Sequence, residues 1–401
     1  MKAEPTLLGK HYETGTIINA LHVAGHIDPN TKKPYSEALA LGASGGIAFG
    51  HFIFEYKGHL PHVAILPRNT FAPFERTMDN LAIRRERFET IHQAKGDENL
   101  KREIDLGHTV IAWADVFSLS FSGLKGSSPM WQMNPYFVVG YDSESVRIAT
   151  SSSSPTVVDA KEFLEARGVV KKDRYRIITL SEPDIERIPS GLIEGIRTCV
   201  SLFLDKPPAG SANNFGLTGL AHWSKSLRET KNAQSWARRF APGPNMVQAL
   251  AGGTGQPGVW DWIETWGTSP GADRIAYADF MTEAADWTNL PKLAKLSELS
   301  RQSGALWQKL ADTALTDEIS EFRELKRLKF NLNDMRRNST IDERQAIQAM
   351  IREKIKAIAE SPERLATVQY EVFNRIADIV DQIAKLEGEL MRELRATVGA
   401  H

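Results

Sequence analysis

The chain has 401 residues, 42% apolar and 25% charged, with 49 basic against 50 acidic side chains and a formal charge of −1. That suits a globular chain of two or three domains and gives no electrostatic reason to expect nucleic acid or an anionic membrane as partner. A single cysteine, Cys199, excludes an internal disulfide framework and a multi-cysteine zinc site within this chain.

Met1-Lys-Ala-Glu-Pro has no signal-like apolar run, and no stretch reaches the ~18 apolar residues of a membrane span. A cytoplasmic location is expected. Glu13 to Gly25 reads as a helix, with Ile17, Ile18, Leu21 and Ala24 on one side and Gly25 as its stop. A polar loop, His26–Tyr35, leads to the helix-like Ser36-Glu-Ala-Leu-Ala-Leu and the glycine-rich Gly42–Gly50. Strand patterns follow at His51–Tyr56 and Val63–Leu66. The clearest strand signal is a hairpin, Tyr136–Tyr141 and Val146–Thr150 around Asp142-Ser-Glu-Ser. Ser151–Pro155 reads as a loop leaving the sheet. Strands mixed with helices at irregular spacing point to an α+β fold.

From 156 to 315 the pattern is mainly helical, broken by Lys206-Pro-Pro and Pro242-Gly-Pro and followed by a looser glycine stretch, Gly252–Gly258. Most tryptophans fall here and read as packed core. Cys199, in an apolar helical run, reads as a buried thiol. Beyond 316 the helices are long and charged. Thr340-Ile-Asp-Glu343 is a capping box, and Ser361-Pro362 starts a helix. From there Leu365, Val368, Val372, Ile376, Ile379, Ile383, Leu386, Leu390 and Leu394 form one apolar seam. The Ile341–Ala359 helix can cover only part of it. A homodimer through the C-terminal helices is therefore expected, with packing on the chain's own body as the alternative. The organisation expected is 1–155, a mostly helical 156–315, and a C-terminal helical hairpin at 316–401.

The string His11-Tyr12-Glu13-Thr14-Gly-Thr-Ile-Ile-Asn19 followed by Ser36-Glu37-Ala-Leu-Ala-Leu-Gly42-Ala-Ser44-Gly-Gly46 resembles the N-terminal domain of the butirosin-biosynthesis acyltransferase family. Asp115-Val-Phe-Ser-Leu-Ser-Phe and Phe137-Val-Val-Gly140-Tyr141-Asp142 resemble two further blocks of it. Gly216–Trp223 and Arg274–Ala285 resemble the helical domain of unknown function that usually follows. The resemblance implies a papain-like fold and transfer of an aminoacyl group from a carrier-protein thioester to an amine through a cysteine acyl-enzyme. That cysteine would start the first helix, where the macrodipole lowers a thiol pKa. Here the position is Tyr12. The implied histidine would open the strand before Gly140, where Asn134-Pro135-Tyr136 stands. The implied carboxylate falls at Ala149-Thr150-Ser151. An ordinary phenol is about 0.1% ionised at neutral pH, against a few per cent for a thiol, so Tyr12 is a poor replacement nucleophile.

Other constellations compete. Gly42-Ala-Ser44-Gly-Gly46 has nucleophile-elbow spacing, but a helix precedes it and a strand follows, the reverse of an elbow. A backbone cradle for phosphate or pantetheine is the other use of such glycines. His11, His22, His26, His51, His59, His62, His92 and His108 crowd the front of the chain. His22 and His26 stand four apart, and His51 and Glu55 share a strand face, which raises a metal-dependent alternative. Scattered hydrogen-bonded histidines are the plainer reading, and no metal or cofactor is assigned. Basic runs such as Ile83–Arg87 alternate with acids and read as solvated faces.

The leading expectation is a catalytically divergent family member, a pseudoenzyme that binds a carrier protein, peptide or small acyl substrate. The cleft would hold His11, Tyr12, Glu13, Ser44, Asp115, Asn134 and Tyr136. A non-covalent acyl transferase working by proximity is the alternative, with the metal enzyme behind it.

Overall fold

The computed structural model describes residues 4–125, 131–253 and 256–399, so Thr254 and Gly255 of the glycine stretch, and the first three residues, lie outside it. The chain begins with helices α1 (Thr14–Val23) and α2 (Glu37–Ala43), then strands β1 (His51–Phe54) and β2 (His62–Ile65). Helix α3 (Pro73–Asn80), strand β3 (Ile83–Phe88), helix α4 (Gln93–Asp105) and strand β4 (Thr109–Asp115) follow. Strands β5 (Met133–Tyr141), β6 (Ser145–Ile148) and β7 (Thr156–Asp159) lead to α5 (Ala160–Arg167) and β8 (Ile177–Pro183). The rest is helical: α6 (Ile188–Leu204), α7 (Gly216–Arg228), α8 (Trp236–Arg239), α9 (Pro244–Ala251) and α10 (Val259–Glu264). Then come α11 (Arg274–Thr288), α12 (Lys292–Ala314), α13 (Ser320–Met335), α14 (Ile341–Ala359) and α15 (Pro362–Val398). The fold is α+β.

The pattern after residue 156 promises mainly helices. The structure instead has β7 and β8 there, each a short segment of mixed apolar and polar residues that carries no period long enough to distinguish strand from helix. β8 inserts between β3 and β4, giving an antiparallel sheet of order β3-β8-β4-β5-β6-β7.

Contacts divide the chain into two interleaved units. The first comprises the N-terminal segment through Ala40, Phe74–Gly191 and Met335–Gln345. On one sheet face Val110, Ala112, Ala114, Tyr136, Val138 and Ile148 pack with Leu100 of α4 and Phe163 of α5. Helix α1 packs on β4 and β5 and is buried all round from Thr14 to Leu21. It ends as its sequence implies: Gly25 takes φ 84°, its N–H reaches His22 O, and His26 N–H reaches Leu21 O, both at 3.0 Å. This is the double bond of a Schellman stop, where a side chain at Gly25 would be strained. Arg337 straps the same unit, donating to Leu7 O at 2.6 Å, Gly9 O at 3.1 Å and Ser151 O at 3.3 Å.

The second unit comprises Leu41–Pro73, Leu192–Asp334 and the chain from Ala346 onward. Strands β1 and β2 pair antiparallel within it. Leu365, Val372, Ile376, Ile383, Leu390 and Leu394 are buried, and α15 packs on α7 and α12 of the same chain. The seam is thus largely used up inside the molecule, with Val368 and Leu386 half-buried. Pro362 takes the first helical position, although the Ser361 side chain makes no capping bond. In the first unit's Met335–Gln345 segment the Thr340–Glu343 box is formed, Thr340 N–H to Glu343 Oε2 at 2.8 Å. Trp223, Trp236, Trp260 and Trp307 are fully buried. A polar network crosses this core: Arg274 meets Glu387 at 2.7 Å with both side chains at 0% exposure, and Ser303 and Trp307 Nε1 also donate to that carboxylate. No helix among the described residues is long and apolar enough to cross a membrane.

Candidate functional site at the start of the first helix

The turn entering α1 carries His11, Tyr12 and Glu13. Gly9 lets it lie flat on the helix, since a Cβ there would come within 2.2 Å of Gly15 O. Asn19, one face down the helix, accepts the N–H groups of Leu8 and Gly9 at 2.7 and 2.8 Å. Glu37 holds the next stretch, accepting Lys10 N–H at 2.7 Å, His11 N–H at 2.9 Å and the Thr14 hydroxyl at 3.0 Å. A carboxylate set before a helix also complements the positive end of its macrodipole.

His11 is buried, and its Nδ1 accepts Glu13 N–H at 3.3 Å. That bond needs Nδ1 without a proton, so it fixes the neutral tautomer with hydrogen on Nε2. The half-buried Tyr12 rests its ring on His11, centroids 4.4 Å apart. One turn on, Thr16 Oγ1 contacts Tyr12 O at 2.8 Å and Pro135 O at 3.1 Å, tying the helix start to β5.

Asn134 and Tyr136 flank Pro135, and alternation along the strand puts their side chains on one face. Tyr136 is in the cluster with α4 and α5, its ring edge-on to Phe121. Burial pushes its phenol well above the ordinary range. Asn134 Oδ1 accepts from Gln132 Nε2 at 2.9 Å. The link from α1 therefore runs through the Pro135 carbonyl between them, while both side chains serve the α4–α5 face. Asp115 closes β4 and is spent on backbone geometry, accepting Gln132 N–H at 2.7 Å and the Ser118 hydroxyl at 2.6 Å.

Ser44 lies in the second unit, fully buried, with its hydroxyl donating to Leu41 O at 2.6 Å. The preceding element is helix α2, so the elbow geometry is absent. The glycine turn is no open cradle either. A Cβ on Gly45 would meet Asn69 Nδ2 at 2.7 Å, and one on Gly46 would meet Tyr277 at 2.6 Å. Its glycines serve close packing. Among the described residues no group of three or more His, Cys, Asp or Glu side chains is placed to hold a metal ion. His51 stacks between Trp223 and Trp236, centroids 5.3 and 5.8 Å away, and burial pushes its pKa down to about 3. Cys199 is buried beside Ile47 O, and burial pushes its thiol up to about 12.

Residues 11–150 match the family model described as Butirosin biosynthesis protein H, N-terminal. Over that stretch the chain is similar to this family. Residues 163–350 match the model described as Domain of unknown function (DUF4872). No curated protein matches the chain. The family is associated with an acyltransferase-type biosynthetic role, and a buried helix against an antiparallel sheet is consistent with a papain-like fold.

Glu37, Asn19, Thr16 and Arg337 carry the geometry of the helix start and had no assigned role in the sequence reading. Glu37, Asn19 and Thr16 stand inside the strings that bear the resemblance; Arg337 has no local signal at all.

Proposed function

We propose that this protein binds an acyl-bearing partner of a biosynthetic pathway, a carrier-protein thioester or peptide, at the α1 end of the first unit without becoming acylated. The observation that carries this reading is the His11–Tyr12–Glu13 turn. A phenol stands where the family resemblance implies a thiol, stacked on an imidazole whose Nδ1 is tied to Glu13 N–H. Two neighbouring backbone donors, Lys10 and His11 N–H, are filled by Glu37 and are not open to a developing oxyanion. Nothing in the Ala149-Thr150-Ser151 segment supplies a carboxylate: Thr150 Oγ1 pairs with Thr156 Oγ1 at 2.9 Å.

The test is to titrate full-length protein with aminoacyl-pantetheine thioesters and aminoacylated carrier protein, following binding by calorimetry and adducts by intact-mass spectrometry. Saturable binding weakened by Tyr12→Ala, with no mass increase, supports the reading. A stable adduct mapped to Tyr12 overturns it in favour of covalent transfer. Turnover of thioester and amine without an adduct overturns it in favour of proximity catalysis, and absence of binding by either probe also overturns it.

A further inference from the structure

The second unit holds a groove of about 310 Å³ lined by α9, α14 and Leu60 at the tip of the β1–β2 hairpin. Leu60, Val247 and Ile355 give it apolar walls, and Gln248, Arg352 and Lys356 bring donors to the same lining. Gln248 is 8% exposed, yet among the described residues its Nε2 has no hydrogen-bond partner. The amide lies across Gly253, where a Cβ would come within 2.3 Å of Oε1 and 3.5 Å of Nε2. A buried amide hydrogen without an acceptor is costly in a folded chain, so a site that retains one is a site for an acceptor. Arg352 and Lys356 are four apart on α14 and share a face. Lys356 stands 3.9 Å from Glu360, a loose pair with both side chains mostly exposed. Two cations against one carboxylate leave the lining with one net positive charge.

We infer that this groove binds an organic carboxylate with an apolar substituent. The chain lies against Leu60, Val247 and Ile355, and the oxygens draw on Gln248 Nε2 and Arg352. This site uses none of the residues of the α1 turn, so it stands or falls apart from the function proposed there.

Octanoate titrated calorimetrically into full-length protein is the direct test, with acetate lacking the chain and octanol lacking the charge. Octanoate is expected to saturate one site, and each comparator to bind about ten-fold weaker or less well still. Arg352→Glu should weaken octanoate by about ten- to a hundred-fold. Ala359→Trp, which fills the groove, should abolish binding, with circular dichroism and melting retained in both variants. Gln248→Leu should weaken octanoate while leaving the fold as stable or more so. The inference is overturned by no saturable octanoate binding, by octanol binding as tightly, or by undiminished binding in folded Arg352→Glu and Ala359→Trp proteins.

Discussion

The carboxylate of Glu37 accepts the backbone N–H of His11 at 2.9 Å, and the same side chain takes Lys10 N–H and the Thr14 hydroxyl. Three donors therefore converge on one half-buried anion to shape the turn that presents Tyr12. Glu37→Ala should cost roughly 2–3 kcal/mol of stability, with Glu37→Gln in between because one amide oxygen still accepts. Denaturant midpoints measure the loss, and faster amide exchange at Lys10 and His11 should accompany it. Unchanged exchange there would show that the turn is held by other means.

His51 gives the second unit a pH dependence of known sign. Burial, with His222 and Arg239 adding repulsion, pushes its pKa down to about 3 from an ordinary 6.5. Below pH 6.5 the unfolded chain takes up a proton that the folded chain refuses. The stability linked to His51 is complete above that value and falls as pH drops toward about 3, by up to ~1.4 kcal/mol per pH unit. Glu264, pushed up to about 7 by burial and Asp312, acts in the opposite sense, its contribution being lost as pH rises through that value. The diagnostic is therefore the difference between wild type and His51→Phe: the variant should lose less stability between neutral pH and about pH 4.

Arg274 and Glu387 form a fully buried pair whose remaining valences are also used, by Pro67 O, Ala272 O, Ala48 O, Ser303 and Trp307. Removing one partner strands the other. Arg274→Met should cost about 3–5 kcal/mol, and the double change with Glu387→Leu should cost clearly less than the sum of the singles. Denaturation of the four proteins in the cycle measures the coupling; strict additivity would contradict it.

Cys199 should be inert. A thiol pushed up to about 12 by burial presents almost no thiolate at neutral pH, and no reagent reaches it in the folded chain. Iodoacetamide should add no mass to native protein and one adduct to unfolded protein. Labelling in the native state would reveal an opening of α6 that the packing does not show.

Periodicity makes much of this architecture legible. The α1 helix and its Gly25 stop, the β5–β6 hairpin, the buried Cys199 and the seam of α15 all follow from spacing and turn chemistry. Helix α1 is nevertheless buried all round from Thr14 to Leu21 and Ala24 is exposed, so the expected single apolar face is not what the structure has. What spacing does not carry is partnership. The seam residues specify that Leu365 to Leu394 be covered, and only the tertiary structure assigns α7 and α12 to the task. β7 and β8 escape for a related reason: segments of four and seven residues with only two and three aliphatic side chains suit a strand or a helical turn equally, until a neighbouring strand decides. At the candidate site, Tyr12 and His11 are visible through the resemblance. The side of β5 on which Asn134 and Tyr136 fall is not, because a one-residue change of register turns every side chain to the other face.

Arg337 also has a consequence in time. The sheet of the first unit ends with Pro183, whereas the guanidinium that straps Leu7, Gly9 and Ser151 arrives roughly 150 residues later. At about 5–20 residues per second, a ribosome needs on the order of 10–30 s to bridge that interval. Throughout it the carbonyls of the N-terminal segment await their donor. A nascent chain stalled anywhere between β8 and α13 would carry a finished sheet whose N-terminal segment is held through its N–H groups by Asn19 and Glu37, with the carbonyls of Leu7, Gly9 and Ser151 left without the Arg337 guanidinium until residue 337 emerges.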